Sequence, residues 1–85
     1  MPKAVFTDAY ASFLEVLIGT RKRAGVTQAE LARRIGREQP FISLIERGVR
    51  RVDVVEFCGI VRALGAEPTA VMQEIDAKLP RVLAI

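Results

Sequence analysis

Residues 27–48 read TQAELARRIGREQPFISLIERG, and this stretch decides the fold. Thr27 suits a helix N-cap. Glu30, three residues on, predicts a capping box in which hydroxyl and carboxylate each take an orphan amide. Leu31 and Ile35 follow at i, i+4 and face one core. Gly36 ends this helix, because glycine enters the left-handed cap conformation without penalty. A second short helix spans residues 39–47, with Glu38 or Arg37 as its cap and Ile42 and Ile45 turned inward. Pro40 falls in its first turn, where a missing amide is tolerated. The same proline argues against one continuous helix, and Gly48 closes the second one.

Two short helices joined by a glycine-containing turn of three or four residues make a helix-turn-helix unit. Upstream, Thr7 or Asp8 can cap a helix over residues 9–24, whose Tyr10, Phe13, Leu14, Leu17 and Ile18 repeat at helical spacing. Lys22 and Arg23 suit its last turn, where cations meet the negative end of the helix dipole. Downstream, residues 49–52 form a basic loop. Asp53 and Glu56 make a second capping box, opening a helix over 54–64 with Val54, Phe57, Cys58, Val61 and Leu64 on its buried side. Pro68 starts a fifth helix over 68–78, with Val71, Met72, Ile75 and Leu79 on one face, and Pro80 stops it. The expected architecture is all-α, with residues 1–8 as an N-terminal arm, 9–78 as the domain and 79–85 as an apolar tail. The apolar tail and last helix exceed what a small core covers, which favours a dimer contact over plain core.

Composition narrows the function. The 85 residues are 51% hydrophobic and carry no histidine and one cysteine. Without histidine the chain lacks the commonest general base and metal ligand, and one cysteine builds no usual zinc site. Neither a nucleophile–base pair nor a phosphate-binding glycine loop is present, so the expectation is a non-enzyme with no metal and no cofactor. Cys58 reads as a small core residue rather than a redox sensor. Glu74 and Asp76 are two apart on a helix and share no face. No apolar run reaches transmembrane length, and residues 1–10 do not resemble a signal peptide, so a cytoplasmic location without membrane contact is expected. Net charge is +3, but residues 21–51 hold nine basic residues against three acids, a local +6. Positive charge concentrated on one element suits a polyanion partner.

The segments TQAELARRIG and QPFISLIERG, with the following helix, resemble the phage-repressor and Cro-type (XRE-like) helix-turn-helix regulators over about residues 21–64. Gln28, Ala29, Leu31, Ala32, Gly36, Gln39, Ile42, Ser43, Ile45, Glu46 and Gly48 carry the resemblance together. It implies a five-helix repressor-like domain that binds a near-palindromic double-stranded DNA operator as a homodimer, with the third helix in the major groove. By position, Gln39, Pro40, Ser43 and Leu44 would read bases, and a glutamine suits adenine N6 and N7. Gln28, Arg37, Arg47, Arg50 and Arg51 would hold phosphates; a helix N-terminus such as that at Gln28 favours anions on physical grounds as well. Arg21 and Glu46 would form a structural ion pair.

Two positions depart from the usual pattern. Pro40 stands where a small polar residue is common, and Leu44 where a Lys or Arg is common. Phe41 reads as a packing residue on the helix flank rather than a base contact. The apolar surface from Pro40 to Leu44 and the apolar tail motivate the alternative reading, a protein-interaction module such as an antitoxin or adaptor.

Overall fold

The computed structural model describes residues 7–83, and among them lie α1 (Asp8–Arg23), α2 (Gln28–Arg34), α3 (Gln39–Glu46), α4 (Val54–Ala63) and α5 (Pro68–Lys78), with no strand. Most of the expected arm, and the last two residues of the tail, lie outside the described residues. No helix among the described residues is long and apolar enough to cross a membrane.

Local chemistry sets the helix starts. Thr7 caps α1 by accepting the Tyr10 amide at 3.0 Å, so Asp8 is already helical. Asp53 and Glu56 form the full capping box of α4, through bonds of 2.7 and 3.0 Å. The box expected at α2 forms only in part. Thr27 accepts the Glu30 amide at 3.1 Å, but the Glu30 carboxylate turns forward to Arg33 and Arg34. Charge-assisted bonds to two guanidiniums are stronger than a return bond to one amide. Glu38 occupies the cap position of α3 without a side-chain cap bond.

Gly36 and Gly48 shape the two-helix unit. Both hold positive φ, 74° and 77°. This lets the next residue's amide turn back: Arg37 N–H reaches the Ala32 carbonyl at 2.8 Å, and Val49 N–H reaches that of Leu44 at 3.0 Å. Each is the paired carbonyl capping that ends a helix on glycine. The chain is thereby redirected after α2 and again after α3.

One core collects Leu14, Val16 and Leu17 of α1, Leu31 and Ala32 of α2, Ile42 and Ile45 of α3, Phe57, Ile60 and Val61 of α4, and Val71 and Ile75 of α5. α1 packs on α5, α2 on α3, and α4 joins the two layers through α2 and α5. The α4 stripe is shifted from the expected one. Phe57, Ile60, Val61 and Leu64 are its centre, whereas Cys58 is half-buried and Val54 is 78% exposed. At about 100° per residue, Val54 and Cys58 fall on the edge of the stripe rather than in it. Met72, expected in the core, is 47% exposed for the same reason: Val71 and Ile75 already define the inner line of α5.

Candidate nucleic-acid interface

α3 presents three distinct sides. Ile42 and Ile45 are buried, Gln39, Pro40 and Arg47 are exposed, and Phe41, Ser43, Leu44 and Glu46 are half-buried. Helical geometry puts Pro40, Ser43, Leu44 and Arg47 opposite the core. Gln39 and Glu46 lie on one flank and Phe41 on the other. Each flank carries its own polar arrangement.

On the first flank a continuous chain of hydrogen bonds runs from α1 to the head of α3. Arg21 donates Nε to Glu46 Oε2 at 2.6 Å and Nη2 to Oε1 at 2.9 Å, and Nη1 to the Val26 carbonyl at 2.8 Å. The two side chains of this ion pair are only 11% and 9% exposed. Glu46 Oε1 also accepts from Gln28 Nε2 at 2.8 Å, and Gln28 Oε1 accepts from Gln39 Nε2 at 2.7 Å. The amide directions follow from chemistry. Arginine only donates and a carboxylate only accepts, so Gln28 must turn its NH₂ to Glu46 and its oxygen to Gln39. Gln39 must then give one N–H to Gln28, and it keeps one N–H and its carbonyl oxygen for the outside. That remaining donor and acceptor match adenine N7 and N6. Gln28 likewise keeps one outward N–H.

On the second flank, Arg37 and Arg50 both stack on the Phe41 ring, with Cζ atoms 4.2 and 4.6 Å from its centroid. Arg50 is tied down. It bonds Glu56 through Nη1 and Nη2, both at 2.9 Å, and the Arg51 carbonyl at 2.7 Å. Arg51 lies over the Tyr10 ring, 4.9 Å from its centroid, and the Tyr10 hydroxyl accepts the Val52 amide at 3.2 Å. The structure thus gathers Gln28, Gln39, Glu46 and Arg21 on one side of α3 and Arg37 and Arg50 on the other. Sequence reasoning missed Glu56 as the counter-ion of Arg50, and Phe41 as the surface on which two guanidiniums rest. Basic residues do not all remain available: Arg33 and Arg34 share Glu30, and Arg34 also caps the Ala63 carbonyl at 2.8 Å.

Carboxylates held this way stay ionised in acid. Hydrogen bonds from Arg50, then from the Asp53 amide, lower the Glu56 carboxyl from 4.5 to about 2. Its folded value lies below its unfolded value. The stabilisation is therefore complete above about pH 4.5 and is lost as pH falls toward 2. Glu56→Gln should flatten the decline in stability across that window, measured as urea midpoints from pH 6 to 2.5; an unchanged profile would remove Glu56 from the acid response. Glu30 is lowered to about 2 as well, by Arg33 and then Arg34, but solvent screens that exposed cluster and reduces its weight.

The sequence matches the family described as helix-turn-helix domain over residues 13–74. A search of curated proteins finds no match. Among solved structures, the chain is similar to an XRE-family like protein from Pseudomonas syringae pv. tomato str. DC3000, at 42% identity over 85% of this chain and 88% of that one, with a TM-score of 0.79. It is also similar to the clp gene regulator ClgR from Corynebacterium glutamicum, at 27% identity over 84% of this chain and 76% of that one, with a TM-score of 0.73. A hypothetical transcription factor from Neisseria, 23% identical with a TM-score of 0.68 over 93% of this chain and 97% of that one, shares the fold. With its two-helix unit, its ordered Gln28–Gln39 pair and these relatives, the chain belongs to the XRE-like helix-turn-helix family of DNA-binding transcription regulators.

Proposed function

We propose that the protein is a sequence-specific regulator that binds a near-palindromic operator as a homodimer, with α3 in the major groove. The observation that carries this reading is the hydrogen-bonded Gln28–Gln39 pair, which leaves an oriented donor and acceptor at the exposed head of α3. Gln39 then reads a base, Pro40, Ser43 and Leu44 line the groove, and apolar atoms there meet thymine methyl groups. Gln28, Arg37, Arg47 and Arg51 hold the phosphate backbone; Arg50, expected there as well, is held on Glu56 and the Arg51 carbonyl and adds positive potential rather than a direct contact.

A second copy of the chain is the partner that suits the apolar face around Tyr10 and Val52. A hollow of about 240 Å³ is lined by Tyr10, Phe13, Val52, Asp53, Val54, Phe57 and Met72, and Val54 and the next residue, Val55, are 78% and 80% exposed. A two-fold contact needs projection and recess on one surface, and this face has both. Sedimentation should give a dimer, and Val55→Glu a monomer. A stable complex with a different protein in place of the dimer would favour the antitoxin or adaptor reading instead.

Selection from random duplexes tests the whole reading, because it reports binding and half-site symmetry together. Gln39→Ala should shift base preference at one position per half-site by about tenfold, in line with roughly 1–3 kcal/mol for a bidentate contact, and leave the salt dependence unchanged. Enrichment of no sequence by the wild-type protein would overturn sequence-specific recognition.

A further inference from the structure

The Phe41 ring packs against the core and also carries two guanidiniums. Arg37 follows Gly36, and its backbone is pinned by the 2.8 Å bond from its amide to the Ala32 carbonyl. Its side chain is exposed and donates no hydrogen bond to protein among the described residues, so all of its N–H donors remain for a ligand. The guanidinium lies over the face of Phe41, 4.2 Å away, and the Glu56 carboxylate attracts it through space. Arg50 stacks on the same ring at 4.6 Å, held from behind by Glu56. The two cationic centres are therefore at most 8.8 Å apart, the combined distance through the shared centroid. Two like charges this close repel each other, and the negative Glu56 carboxylate beside them offsets that repulsion.

We propose that Phe41 is a positioning residue for DNA binding: its ring holds the Arg37 guanidinium beside Arg50, so that Arg37 takes a backbone phosphate at the flank of α3 away from Gln39. The inference rests on the DNA-binding reading above and adds to it. Cation–π contacts fix a guanidinium without using its donors. A hydrogen bond or an ion pair would occupy them, as Glu30 occupies Arg33. The flank thus combines one guanidinium committed to a carboxylate and one left open, and the ring joins them.

The test is duplex titration over a range of salt concentrations with the full chain. Phe41→Leu should weaken binding to every duplex about three- to tenfold and lower the log–log salt slope by about one per protomer, because one phosphate contact is lost. Phe41→Trp, which keeps a stacking face, should restore both. In an Arg37→Ala background, Phe41→Leu should have no further effect on affinity or slope. A role in packing alone predicts the same loss in both backgrounds. Arg37→Lys serves where Phe41→Leu does not fold, since position 37 is exposed: it keeps the charge but loses the planar stack, and should weaken binding about threefold. Wild-type affinity and slope in Phe41→Leu, or wild-type affinity in Arg37→Lys, would overturn the positioning role while leaving DNA binding intact. Absence of wild-type binding to any duplex would overturn the DNA-binding reading itself.

Discussion

Glu46→Ala is expected to destabilise the protein by about 3–5 kcal/mol, the usual cost of leaving one partner of a buried ion pair alone. Arg21 would keep its bond to the Val26 carbonyl but lose both contacts to the carboxylate, at a side-chain exposure of 11%. Small domains are stable by only about 5–15 kcal/mol in total, so this is a large fraction. At roughly 4–8 °C per kcal/mol for a domain of this size, the thermal midpoint should fall by roughly 12–40 °C. Thermal and urea unfolding measure it directly. A change below about 1 kcal/mol would mean that the pair behaves as a solvated surface bridge.

A second variant separates stability from recognition. Replacing the pair together, Arg21→Met with Glu46→Leu, removes both charges and the cost of desolvating them. Such replacements are often neutral or stabilising. The fold should therefore survive, but the direction of the hydrogen-bond chain should not. Without an obligate acceptor at position 46, Gln28 is free to turn its amide, and Gln39 loses its fixed donor and acceptor. The double variant should melt near the wild-type temperature yet discriminate poorly at the base read by Gln39. That outcome would make Glu46 the link between stability and specificity, through the two glutamines bonded in series to it.

The parts of this architecture that could be read from the sequence are those written in local chemistry. Asp53 and Glu56 form their capping box because both partners lie within one turn. Gly36 and Gly48 end their helices because the backbone alone demands positive φ there. Arg21 and Glu46 came from the family pattern, since no local rule connects residues 25 apart. Failures arose where a local rule met a competitor. Glu30 had a capping role open to it, but two arginines on its own helix outbid one amide. Val54 and Met72 sit on the edges of their stripes, and periodicity does not say how wide the covered strip is. The pairing of Arg50 with Glu56, and the stacking on Phe41, depend on how the loop after α3 returns over that helix. Charge counting treated all nine cations of residues 21–51 as one patch, although several already have internal partners.

That distinction gives the salt dependence of DNA binding a specific expected value. If all nine cations in each protomer displaced counterions, a dimer would show a log–log slope of about −16. The structure assigns five of them to carboxylates: Arg21 to Glu46, Arg23 to Glu74, Arg33 and Arg34 to Glu30, and Arg50 to Glu56. Lys22 lies in the last turn of α1 and is left out of this count. Arg37 and Arg47 are exposed and form no ion pair among the described residues, and Arg51 follows them in the loop after α3. Two or three phosphate contacts per protomer give a dimer slope between about −4 and −5, and a monomer half of that. From 50 to 200 mM salt, dimer affinity should then fall by a few hundredfold to about a thousandfold. Fluorescence titration at four or five salt concentrations measures the slope. A value near −11 would mean that DNA pulls Arg33, Arg34 and Arg50 away from their carboxylates. In that case Glu56→Gln would leave the slope unchanged. If the carboxylate does hold Arg50 back, Glu56→Gln should steepen the slope by about one per protomer and tighten binding to every sequence alike. The internal carboxylates would then act as a brake on non-specific binding, and discrimination would fall to the Gln28–Gln39 flank of α3.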